Sequence, residues 1–194
     1  MLDSCLEYLC ERMNQSINSA FDLSDNLVIV ASPSDINKQS NGSNENKVLI
    51  FISGLERDPF SKGGNIAAFQ PTSRFAISNK PLFLAVSVVV AANFSASNYT
   101  DGLKILSHLL AFFNRNPLFN RQNSPDMPEF VEQIAMEMAT LTEANLSHMW
   151  SMLGSHYLPS CVYQVRVAIP NSEAVLLQSG PLNFVKSSLQ KREQ

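Results

Sequence analysis

The sequence predicts an α/β (α+β) protomer, a mixed β-sheet covered mainly on one face by helices. Three observations carry that expectation. Apolar residues recur every three or four positions across the first twenty residues, the run from Leu82 to Ala92 is strongly β-branched, and residues 161–169 alternate between two faces.

The opening stripe is Leu2, Leu6, Leu9, Met13, Ile17 and Ala20, the buried line of a surface helix of about five turns. Asn26-Leu-Val-Ile-Val30 follows as a short strand. Residues 32–46 are polar, carry Asn41-Gly42 and have no apolar period, so they read as a turn or loop. Lys47-Val-Leu-Ile-Phe-Ile-Ser53 is the second strand. Residues 57–80 contain Pro59, Gly63-Gly64 and Pro71 with scattered Phe60, Phe69 and Phe75. A structureless loop of that length is unusual in a compact domain, and an extended arm or hairpin is expected.

The run from Leu82 to Ala92 is eleven residues long, too short to cross a membrane as a helix, and reads as a buried strand. Asn98 or Thr100 then caps a helix whose buried stripe is expected to be Leu103, Leu106, Leu110 and Phe113, ended by the proline-rich residues 114–128. Ile134, Met136 and Met138 alternate with Ala135 and Glu137, which predicts a strand. Thr142 precedes a short helix with Leu146, Met149, Trp150 and Leu153 on one face and Gly154 as its stop. In the last long strand, Cys161, Tyr163, Val165, Val167 and Ile169 face the core while Gln164 and Arg166 point outward. Residues 173–177 suggest an added edge strand. The whole is one domain over residues 1–180 with an arm at 57–80, and residues 181–194 form a polar tail.

Composition narrows the function. Fourteen Lys+Arg against 17 Asp+Glu give a formal charge of −3, without the basic footprint of a general nucleic-acid binder. Only 16% of residues are charged, which leaves surface for protein partners. The first ten residues carry acids where a secretory signal needs bases. Cys5, Cys10 and Cys161 form no Cys-x-x-Cys pair and cannot all pair internally, which favours a reducing compartment. The sequons at Asn93 and Asn98 then carry no glycan.

No reactive constellation emerges. His148, His156 and Cys161 are the one local nitrogen and sulfur cluster, but a helix, a loop and a strand would have to converge them, so surface histidines and a strand cysteine fit better. His108 has no nucleophile near it in sequence, and there is no Gly-x-Ser-x-Gly elbow. Lys62-Gly-Gly-Asn65 lacks both the dinucleotide and the phosphate-loop spacing and reads as a turn. Glu129, Glu132 and Glu137 form an acidic neighbourhood without assigned acid and base roles. Trp150 beside Met149 and Met152 sits at core spacing. No metal or cofactor is expected. The remaining signal is assembly, since Phe60, Phe69 or Phe75 on an arm would gain about 25 cal/mol per Å² when buried by a neighbour.

From Leu146 to Val167 the sequence resembles the cap or tube-terminator family of phage-tail-like contractile injection systems. The resemblance rests on Trp150, Leu153-Gly154, Tyr157-Leu158-Pro159-Ser160 and Tyr163-x-Val165-Arg166. Further matches are Glu45-Asn-Lys-Val-Leu-Ile50, Pro81-Leu-Phe-Leu84 leading to Ala91-Ala-Asn93, and Tyr99 through Leu106 to Phe112-Phe113 with Asn116-Pro117. They span most of residues 1–170.

The resemblance implies a tail-terminator-like protomer in a sixfold ring at the end of the inner tube and sheath. Such a ring stops tube growth and joins the last sheath layer without turnover. A cap adaptor in an adjoining layer, or a generic oligomeric binding module, is the alternative. Trp150, Leu153, Gly154, Tyr157, Pro159 and Tyr163 are then expected to organise core and turn. Phe60, Lys62, Phe69 and Arg74 on the arm, with Gln164 and Arg166 on the outward strand face, are expected at interfaces. The implied partners are further copies of the chain, tube and sheath proteins and a related cap or adaptor, with no nucleic acid and no membrane insertion. Assembly is expected in the bacterial cytoplasm, with the chain then a component of the injection particle, whether that particle is released or cell-anchored.

Overall fold

The computed structural model describes residues 1–32, 44–58, 75–76, 82–154, 156–169 and 178–179. Its elements are α1 (Leu2–Phe21), β1 (Val28–Val30), β2 (Lys47–Arg57), β3 (Phe75–Ala76), β4 (Leu82–Asn93), a 3-10 turn (Ala96–Asn98), α2 (Tyr99–Arg115), β5 (Leu118–Asn120), β6 (Gln133–Met138), α3 (Glu143–Met152), β7 (Ser160–Ile169) and β8 (Gln178–Ser179). Six strands form one sheet in the order β1-β2-β4-β7-β6-β5, with β1 parallel to β2 and all other neighbours antiparallel. The expected mixed sheet is therefore present. β3 and β8 pair separately, Phe75 opposite Ser179. Apart from residues 57, 58, 75 and 76, the expected arm lies outside the described residues, as do the suggested strand at 173–177 and the tail.

The larger core lies between the sheet and α1 with α2. Leu9, Met13 and Ile17 of α1 meet Val48, Ile50, Val88, Val90, Val165 and Val167 of the central strands. Burial of each such side chain contributes about 1.5–3 kcal/mol before ordering costs. α1 stops where Asp22 turns left-handed at φ 52 and its N–H reaches the Asn18 carbonyl.

One polar side chain interrupts the buried face of α1. The Asn14 Nδ2 donates to the Val28 carbonyl at 2.9 Å, and the Val28 N–H donates to Asn14 Oδ1 at 2.9 Å. The amide thus satisfies both main-chain groups of the first residue of edge strand β1, work that a further strand would otherwise do.

Two departures from expectation have local causes. In α2 the buried line is Gly102, Ile105, Leu106, Leu109 and Phe113, and Leu103 is 37% exposed. The helix leans on Phe94 through Gly102, where a Cβ would lie 2.6 Å from Phe94 Cδ2 and 2.7 Å from its Cγ. In β2 the pairing with β4 shifts between Ile52 and Gly54, so Ser53 is an extra residue whose Oγ donates to the Ser87 carbonyl at 3.3 Å. The strand continues beyond the expected Ser53 to Arg57.

Gly102 therefore inverts an ordinary rule. Gly→Ala in a helix interior gains about 1 kcal/mol, whereas Gly102→Ala is expected to cost about 1–3 kcal/mol by overpacking Phe94. Chemical denaturation of the two proteins decides it, and a stabilised variant would mean that the Phe94 ring yields freely.

Asn46 also adopts a left-handed conformation, φ 58, just before β2. Its Oδ1 accepts from Ser95 N–H at 3.2 Å, Ser95 Oγ at 3.1 Å and Asn98 Nδ2 at 3.1 Å. The start of β2 is thereby tied to the turn that launches α2. Asn98 occupies the N-cap position of α2 but spends its side chain on Asn46 instead of on the helix.

Candidate functional site

The residues that carry the sequence signature sit at the end of the sheet covered by α3. Thr142 caps that helix, its Oγ1 accepting from the Asn145 N–H at 3.3 Å. Trp150, 3% exposed, is the one buried residue of α3. It meets Phe51 edge to face at 6.3 Å between centroids and shares a small cluster with Leu49, Val89, Ala91, Leu158 and Val162. Leu153 packs half-buried against that cluster, and Gly154 ends the turn at φ 65, where a Cβ would be strained. The Pro159 carbonyl accepts from the Ala92 N–H at 2.8 Å, which joins the turn to β4.

Two signature residues lie elsewhere than the core of that turn. Tyr157, expected to help organise it, is 60% exposed and offers only a ring edge to Trp150 at 6.2 Å. Its neighbour Leu158 fills the cluster instead. Tyr163 is buried, but on the opposite face of the sheet against Phe113 at 5.0 Å.

Gln164 and Arg166 project from β7 on the α3 side of the sheet, both half-buried. Arg166 Nη2 reaches Glu137 Oε2 on the neighbouring strand β6 at 3.2 Å, an open ion pair that contributes at most about 1 kcal/mol. Phe60, Lys62, Phe69 and Arg74 lie outside the described residues.

His148 and His156 are exposed, whereas Cys161 is buried with its Sγ 3.8 Å from the Val90 carbonyl. Among the described residues no three His, Cys, Asp or Glu side chains converge on a possible metal position. Burial pushes the Cys161 thiol up to about 12 and those of Cys5 and Cys10 up to about 11, and burial also raises the Tyr163 phenol. These groups hold protons in the fold that the unfolded chain would release, so stability is full below an unfolded pKa of about 8.5 and falls as pH rises toward 11–12. Cys161 is expected to resist alkylation at neutral pH and to react on denaturation, which mass spectrometry after iodoacetamide reads directly.

One juxtaposition has no signal in the sequence. Ser16 Oγ on α1 and His108 Nε2 on α2 lie 2.9 Å apart, with the Phe21 ring edge-on to the imidazole at 5.4 Å. They sit in a cleft of about 430 Å³ between the two helices, lined also by Arg12, Gln15, Ser19 and Arg115. Among the described residues no acidic side chain lines it to orient the imidazole for a hydrolase, and the pair ties two helices together. Ninety-two positions separate the partners, and neither lies in a motif. Among the described helices none is long and apolar enough to cross a membrane.

Comparison with known proteins adds identity to this geometry. No curated protein matches the chain. Several solved structures share its fold, among them two tube terminators. One is the sheath/tube terminator of PVC, an extracellular contractile injection system, in its extended state: 14% identity, TM-score 0.57, 93% of this chain and 62% of that one. The other is the tube-terminating cap of the anti-feeding prophage: 15% identity, TM-score 0.58, 91% of this chain and 58% of that one. The chain thus spans about three fifths of the length of the proteins it matches. The Pvc16 N-terminal domain family matches residues 6–182, which takes in most of α1, the whole six-stranded sheet, α2 and α3, and the chain belongs to that family.

Proposed function

We propose that this protein is a structural cap that ends the inner tube and sheath of a contractile injection system. The observation that carries the reading is a fold shared over 93% of the chain with a sheath/tube terminator. In this reading six copies close a ring by repeating one heterologous interface. The ring stops tube growth and anchors the last sheath layer, and the protein assembles in the bacterial cytoplasm and leaves with the particle. Residues 1–180 act as one domain, with Phe60, Lys62, Phe69 and Arg74 of an arm and Gln164 and Arg166 of β7 as contacts to ring or tube neighbours. Its work requires no cofactor, and its partners are proteins.

Electron microscopy of assembled particles tests this. Density for this chain at one tube end, with tubes of uneven length when the gene is deleted, is the expected result. Complete particles of uniform length without that density would overturn the reading, and density one layer away from the tube end would make the chain an adaptor.

A further inference from the structure

Among the described residues, Arg12 and Arg115 line the cleft between α1 and α2 without any carboxylate partner. Arg12 Nη1 donates to Gln15 at 3.0 Å and Arg115 Nε to the Ala111 carbonyl at 3.2 Å, so both are held by their own helix with charge left over. The Arg12 Nε is buried without a hydrogen-bond partner. Ser16, Ser19 and His108 add polar groups, and among the described residues no acid lines the cleft, in a chain whose net charge is negative.

The complement lies between β5 and β6. Asp126, Glu129 and Glu132 are exposed, their carboxylates make no ion pair among the described residues although Arg121 Nη2 donates to the Glu129 carbonyl, and they do not line the cleft of their own copy. They are mounted rigidly, since Met127 and Val131 between them are buried in the main core. The described residues therefore carry a basic cleft and an exposed acidic segment.

We infer that the α1/α2 cleft of one copy receives the acidic 126–132 segment of the next, and that this is the head-to-tail contact of the ring. The inference rests on the ring reading above. A heterologous contact needs two different complementary patches on each chain, which these supply.

The test uses the full chain in two reversed forms, Arg12→Glu/Arg115→Glu and Asp126→Lys/Glu129→Lys/Glu132→Lys, followed by native mass spectrometry and light scattering. Each form alone is expected to assemble at least about tenfold more weakly than the unaltered chain. A mixture of the two should regain assembly, as rings of three copies of each, because every cleft then meets a segment of opposite charge. Arg12→Gln/Arg115→Gln, a milder change, should weaken assembly less and lessen its salt dependence. Circular dichroism establishes that each form is folded. If the unaltered chain forms rings and the folded reversed forms do too, or their mixture does not recover, this contact is wrong while the ring stands. If the unaltered chain forms no ring at any soluble concentration, the ring itself fails and this contact with it.

Discussion

Trp150→Ala is expected to release α3 and to cost about 3–5 kcal/mol. α3 has ten residues, and Trp150 is the one it buries. A helix that short is not stable alone in water, so its persistence depends on the contact with Phe51, Leu158 and Val162. Urea denaturation should show the loss. Amide exchange should show where it falls, with protection disappearing across residues 143–152 while α1 and α2 keep theirs. Trp150→Phe should cost much less, because it keeps a ring against Phe51 and removes an indole N–H that is buried without a partner. Unchanged protection in α3 after Trp150→Ala would mean that Leu146, Met149 and Leu153 hold the helix by themselves.

Asn14→Ala carries the second large effect. It strips the hydrogen-bond partners from both main-chain groups of Val28, which is fully buried. Each orphaned group costs about 1–3 kcal/mol, tempered at the carbonyl by the Cys10 Sγ contact at 3.2 Å, so the loss is about 2–4 kcal/mol. Asn14→Asp should not rescue it, since a carboxylate would accept from the Val28 N–H but face the Val28 carbonyl oxygen with no proton to give. The amide proton of Val28 is the reporter, and the idea fails if its exchange rate is unchanged in the alanine variant.

The parts of the fold that the sequence foretold are those where side chains alternate or recur over many residues. Leu6, Leu9, Met13 and Ile17 marked α1, and Tyr163, Val165 and Val167 marked the inner face of β7, because each set buries one side of a regular element. The line of α2 came out rotated because its closest approach is made by Gly102, which contributes no hydrophobic signal. β5 is three residues between Pro117 and a turn, too short for any period to declare itself. The site was legible only in its local portion. Trp150, Leu153 and Gly154 lie within one helix and its stop, whereas the cleft joins residues of α1 and α2 that only the packed sheet brings together. Asn14 carries no sequence signal, because nothing local says that its amide faces a strand edge.

The Asn46 brace has a consequence for chemical ageing. Asparagine side chains lose ammonia over time, and the product is ordinarily damage. At position 46 the amide oxygen does the bonding: it accepts from three donors, and a carboxylate would accept all three as charge-assisted bonds. The added negative charge would also sit beside the turn that opens α2, where a helix start favours it. Asp and Asn both tolerate the left-handed backbone there. Conversion of this side chain to normally linked aspartate therefore leaves the tie between β2 and α2 in place, whereas the isoaspartate form, with its lengthened backbone, would break it.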